Sequence, residues 1–175
     1  MMLPINSSPV CAGAFEEHPI KAAFLFNFPH FVKWPNENSK STPLTCRYCV
    51  LQNGAVENAL GSPISLSRNK KIQQNYIEPS ELSNLSDCEI LYLGENNLKT
   101  RDELLELTKG QSILTVSDQT NFVDGGGMIE LVRQGSRVQV YINLESINEQ
   151  GFDISSKLLS LSQFKASDKR RMSND

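Results

Sequence analysis

The chain has 175 residues, with 17 Lys and Arg against 20 Asp and Glu, giving a net charge of −3. That length fits one domain with a real core, and a composition of 39% apolar and 21% charged residues is ordinary for a soluble globular protein. No basic stripe dominates, which argues against nucleic acid as a partner, and no stretch reaches the roughly 20 apolar residues of a membrane span, so direct membrane insertion is not expected.

Residues 1–17 show neither a helical nor a strand period. Val10-Cys11-Ala12-Gly13-Ala14 resembles only the cleavage end of an export signal, because the residues before it lack a basic start and a long apolar run. The segment reads as a signal-peptide remnant or a leader, and cleavage after Ala14 would remove Cys11. The main domain is expected over 18–165, and 166–175 is a polar tail.

The most apolar stretch follows, Lys21 to Pro35, with the only Trp and four of the eight Phe. The pattern predicts a helix over 18–33, with Pro19 in its first turn. Apolar residues cover most of its circumference, so burial on more than one side is expected and its Phe residues read as structural. Pro29 removes a backbone donor and predicts a break near Phe28. A polar connection, 36–43, leads to a strand over 44–52.

Cys46-Arg47-Tyr48-Cys49 within that strand is formally C-x-x-C. A zinc site would need a second such pair, and the chain has none. A redox motif wants its first Cys at a helix N-terminus rather than in a strand. Neither metal binding nor thiol catalysis is expected.

A short helix is predicted over 54–60, a loop or short strand over 62–71, a strand over 70–77 and a helical turn over 79–82. The run over 88–93 is a buried strand. An amphipathic helix over 98–109 ends at Gly110, and its Glu103 and Glu106 read as a solvated face. A buried strand over 112–117 leads into a loop, 118–127, that ends in Gly125-Gly126-Gly127. Alternation in Val138, Val140, Ile142 and Leu144 marks one arm of a hairpin over 128–143, turned by Gln134-Gly135-Ser136. A helical turn covers 145–149. Asp153 is then expected to cap a helix over 154–164 with Ile154, Leu158 and Leu161 on one face.

Helices and strands alternate in the first half, and a hairpin follows in the second. This predicts an α/β fold, a layered α/β/α domain whose mixed sheet includes a C-terminal antiparallel hairpin. Ligands collect at the carboxyl ends of strands in such sheets. Ser117, Asp118, Gly125, Gly126 and Gly127 are therefore the candidate ligand-binding residues, against the commoner reading of a turn in which Asp118 bonds its own backbone. A triple Gly without the Lys and Ser/Thr of a Walker motif is no phosphate loop. No catalytic set is expected, since neither His18 nor His30 is placed by sequence beside Ser117-Asp118. No cofactor or metal is expected either.

Four blocks together resemble the YfiR-like family of bacterial periplasmic proteins over about residues 20–164. They are Lys21 to Phe28 with Phe31-Val32-Lys33-Trp34-Pro35; Cys49-Val50-Leu51; Ser112 to Asp118 with Phe122 and Gly126-Gly127-Met128-Ile129; and Ile142-Asn143-Leu144 with Gly151-Phe152 and Ile154 to Leu159. Pro29 departs from the family pattern, which keeps a helix-compatible residue there.

The resemblance implies a periplasmic regulator rather than an enzyme. It would bind and inhibit the periplasmic domain of an inner-membrane diguanylate cyclase, controlling cyclic di-GMP signalling and biofilm formation. The alternative is a small-ligand-binding sensor acting through a histidine kinase or another membrane partner. Self-association as a homodimer fits either role. The resemblance also implies a Cys49–Cys88 disulfide, which leaves Cys46 as a small core residue. The sequence names no partner-binding residues; the outward side of the hairpin is one candidate surface.

Overall fold

The structure, a computed structural model, describes residues 16–35, 46–51, 54–60, 73–77, 85, 87–94 and 98–164. The expectations for the leader, the polar connection, the loop or strand over 62–71, the turn over 79–82 and the tail lie outside the described residues.

Three consecutive runs, β2 (Arg47–Leu51), β4 (Ile90–Leu93) and β5 (Leu114–Ser117), form the centre of a parallel sheet. Almost every residue in them is buried, as a strand covered on both faces requires. The edge strand β3 (Gln73–Ile77) joins β2 in parallel. On the other side β6 (Ile129–Gln134) joins β5 in parallel and turns back into β7 (Arg137–Ile142). Gln134 pairs with Arg137, leaving a two-residue loop in which Gly135 takes φ +62°. Positive φ in that position suits the tight hairpin turns that only Gly enters freely. A short strand β9 (Ser162–Phe164) adds to β7 in parallel and ends the sheet, whose order is β3-β2-β4-β5-β6-β7-β9. The expected mixed sheet with its hairpin is therefore present.

Alternation along each strand feeds two cores. Tyr48, Val50, Ile90, Tyr92, Leu114 and Val116 point to one face. There they meet α1 (Glu17–Asn27) and α2 (Gly54–Leu60). Cys49, Leu51, Leu91 and Leu93 point to the other, under Leu104 of α3 (Leu98–Thr108) and under Phe122. Gly110 ends that helix region at φ +72°. Glu103 and Glu106 are exposed, as expected.

The first helix is shorter than predicted. It stops at Asn27, and a 3-10 turn carries Phe28–His30, with Pro29 at its start. Pro29 thus breaks the helix where expected. Val32–Lys33 is not helical but a strand, β1, paired antiparallel with β8 (Asp153–Ile154).

That pairing also corrects the C-terminal helix. Asp153 lies in β8 and caps nothing. The cap is Ser155, whose Oγ accepts from Leu158 N at 3.4 Å, and α5 is Ser156–Leu161. Asp and Ser both suit an N-cap, and the ladder to β1 decides between them. Ile154 is buried in β8, Leu158 is buried in α5, and Leu161 is 63% exposed, so the three do not share a face. The preceding helix α4 (Leu144–Glu149) is capped by Asn143, whose Oδ1 accepts from Ser146 N at 3.1 Å.

Candidate functional site

The two faces of β2 separate its cysteines. Cys49 bonds Cys88 in the core under α3. Cys46 belongs to the opposite core, below α1, and its thiol is free and buried. The C-x-x-C spelling therefore describes no dithiol, because the sheet stands between the two positions. Burial, and then the Glu89 carboxylate, push the Cys46 thiol well above the ordinary thiol range, so it is a poor nucleophile. Burial likewise pushes up the neighbouring Tyr48 phenol.

The five candidate ligand residues lie at and beyond the carboxyl end of β5. Ser117 Oγ donates to Leu93 O at 2.7 Å and accepts from Gln119 N at 3.0 Å. Asp118 is buried and its Oδ2 accepts from Lys21 Nζ of α1 at 2.6 Å. Asp118 Oδ1 has no hydrogen-bond partner among the described residues. The glycines have separate roles. Gly126 takes φ +101°, and a Cβ on Gly127 would stand 2.2 Å from the Phe122 ring, so only Gly fits there. Gly125 lies under the Arg101 guanidinium.

The loop is fastened from below by residues the sequence reading passed over. The Glu130 side chain, 1% exposed, accepts from Asn121 N and from Val123 N, both at 3.2 Å. Asn143 Nδ2 donates to Val123 O at 2.8 Å, and Ser146 Oγ donates to Gly126 O at 2.9 Å. A polar Glu inside an otherwise apolar strand start was the available signal for Glu130.

These contacts bring distant parts of the chain together. Lys21 meets Asp118, and Phe122 meets Gly127. Trp34 packs edge-on against Phe152 at 5.8 Å, beside the approach of Pro35 to Gly151, which takes φ +77°. Phe31 O accepts from Ser155 N at 2.8 Å. Three of the four sequence blocks are thus fastened together: the first meets the third through Lys21 and Asp118, and the fourth through Trp34, Pro35 and Phe31. The chain matches the YfiR/HmsC-like family over residues 18–163. It belongs to that family.

The YfiR/HmsC-like family is one of periplasmic regulators of cyclic di-GMP signalling rather than of enzymes, and it implies a membrane protein as partner. A disulfide fits the oxidising periplasm. No helix among the described residues is long and apolar enough to cross a membrane.

A regulator's business is on its surface, and here the structure departs from the reading of α1 as core alone. Phe28 is buried, but Phe24, Phe26 and Phe31 are only half-buried. Phe24, Phe28 and Phe31, with Ile20 and Ala23, line a groove of about 340 Å³ whose far wall is Leu158 and Leu161 of α5. Leu161, the last residue of α5, and Phe164, on the edge strand β9, are 63% and 53% exposed. The outward side of the hairpin is more polar, with Gln134 Nε2 donating to Tyr141 Oη at 2.9 Å.

Proposed function

We propose that this protein binds the periplasmic domain of an inner-membrane diguanylate cyclase and holds it inactive, limiting cyclic di-GMP and biofilm formation. Family membership supports the class of partner. The observation that carries the reading is the exposure of Leu161, at the end of α5, and of Phe164, on the terminal strand of the sheet. Burying a Leu and a Phe against a partner stabilises a complex by about 1.5–3 kcal/mol each, and aromatic anchors of this kind concentrate at interface cores. Two short strands at the margins, β8 and β9, hold α5 so that this pair faces outward.

The test is co-purification with the periplasmic domain of the candidate cyclase. A complex at micromolar concentration, together with lowered cyclase activity in membranes, is the expected result. Absence of a complex at that concentration overturns the reading.

A further inference from the structure

The groove between α1 and α5 has a chemistry of its own. Phe24, Phe28 and Phe31 give it an aromatic trough, and Leu158 and Leu161 close the far side. Among the described residues its polar lining side chain is Asn27, which donates to Ala23 O of its own helix at 2.7 Å. No acidic residue lines it among the described residues. Its volume, about 340 Å³, lies within the range of roughly 300–1,000 Å³ seen for small-molecule sites.

A cation stands at its rim. Lys157 Nζ lies over the Phe31 ring, 5.6 Å from the centroid. Lys157 is exposed and forms no ion pair among the described residues. An apolar trough with a cation at its mouth matches a molecule with one apolar chain and one anionic head.

We infer that this groove binds a free single-chain carboxylate, a fatty acid, with its chain against Phe24, Phe28 and Phe31 and its carboxylate paired with Lys157. The chain leaves water for an aromatic surface, and the head keeps its charge at the solvent edge, where no desolvation cost arises. A cationic ligand would meet no acidic side chain among the described lining residues. A bilayer surface calls for a cluster of about 4–8 basic residues, whereas among the described residues Lys157 is the cation that lies over the groove's rings. Leu161 belongs both to the groove and to the edge proposed for the cyclase, but the binding claim does not depend on that second role.

The probes are sodium dodecanoate and dodecan-1-ol, titrated calorimetrically into the full chain below micelle formation. Dodecanoate is expected to bind saturably. Lys157→Gln weakens dodecanoate about tenfold and leaves dodecanol unchanged. Ala23→Trp, at an exposed rim position, fills the trough and weakens both ligands at least tenfold. Leu161→Glu, also at an exposed position, repels dodecanoate to a similar extent; thermal melts of each variant show whether the fold is retained. Absence of saturable binding overturns the inference, as does equal binding by Ala23→Trp protein with an unchanged melting temperature. Loss of dodecanol and dodecanoate in equal measure from Lys157→Gln removes the carboxylate assignment. Retention on phosphatidylglycerol vesicles without dodecanoate binding identifies a membrane-surface site instead and also overturns it.

Discussion

Lys21 Nζ donates to Asp118 Oδ2 at 2.6 Å across 97 positions of sequence, with both side chains almost fully buried. The ammonium also lies 3.4 Å from Glu17, one helical turn earlier, and Glu17 in turn faces Arg133 at 3.7 Å. The pair ties α1 to the carboxyl end of β5. Removing one partner leaves a charge buried and uncompensated. Lys21→Met is therefore expected to cost about 3–5 kcal/mol. The double variant Lys21→Met with Asp118→Leu should recover most of that loss, because two apolar groups need no counter-charge. Urea denaturation of the two single variants and the double variant measures the coupling; additive losses would show that the pair is not energetically linked.

Gly127 is fixed by the ring it touches. A Cβ there would stand 2.2 Å from Phe122, which is fully buried in the core under α3. Gly127→Ala is expected to destabilise by at least the 1–3 kcal/mol of an overpacked core, on the order of the upper figure. Adding Phe122→Leu should return part of it, as the smaller side chain makes room. A thermal melt of both variants decides; no recovery in the double variant would place the strain elsewhere.

The disulfide closes a loop with a sequence separation of 39. On the chain-entropy account it contributes about 4 kcal/mol. Peptide mapping after alkylation of denatured, unreduced protein should show Cys46 modified and Cys49 and Cys88 protected. In the native state Cys46 should stay unmodified, since its thiol is buried and held protonated. Replacing Cys49 and Cys88 with Ala should lower the urea midpoint by an amount of that order.

Alkali should unfold the protein through Cys46 and Tyr48. Their ordinary values are 9.0 and 10.0, and burial raises both in the folded state. Below pH 9 both states hold these protons, and stability is unaffected. Above it the unfolded chain releases protons that the folded chain retains, so stability falls as pH rises, by about 1.4 kcal/mol per pH unit for each group. Urea midpoints taken from pH 8 to 11 should bend downward from about pH 9, and Cys46→Ala should move the bend toward pH 10.

At the sheet edge, Leu161→Ser and Phe164→Ser should each weaken cyclase-domain binding by tenfold or more while leaving the melting temperature nearly unchanged, because both side chains are largely in solvent. Equal affinity for wild type and both variants would move the contact surface elsewhere on the molecule.

The parallel strands and the hairpin were legible because the two cores write themselves into the chain. Runs such as Ile90-Leu91-Tyr92-Leu93 fill both faces at once, and Val138, Val140 and Ile142 fill one. Pro29 announced the end of α1 through its missing donor. The C-terminal region was misread because Asp153 and Ser155 are equally good caps in isolation. Only the ladder that pairs Val32 with Ile154 and Lys33 with Asp153, set by residues far earlier in the chain, selects Ser155. The groove was hidden for a related reason. Phe24 and Phe31 look like core residues, and their partial exposure follows from how far α5 lies from α1, a distance no local pattern encodes. The glycines of the 125–127 loop were visible, but the side chains that hold that loop, Glu130, Asn143 and Ser146, belong to other elements.

The fastening of α1 has a consequence for the order in which the protein can form. The most apolar stretch, α1 and the residues up to Trp34, lies near the start of the chain, yet Lys21, Trp34 and Phe31 are anchored by Asp118, Phe152 and Ser155. Contacts of such long sequence separation form late, since the intervening loop must close before they stabilise anything. A chain emerging N-terminus first can pack α1 against the nearby β2 and α2 early, but the contacts of Lys21, Phe31 and Trp34 must wait for Asp118, Ser155 and Phe152. Until then the joints at Lys21, Phe31 and Trp34 stay open, so the chain cannot complete its native packing before its last third has been made.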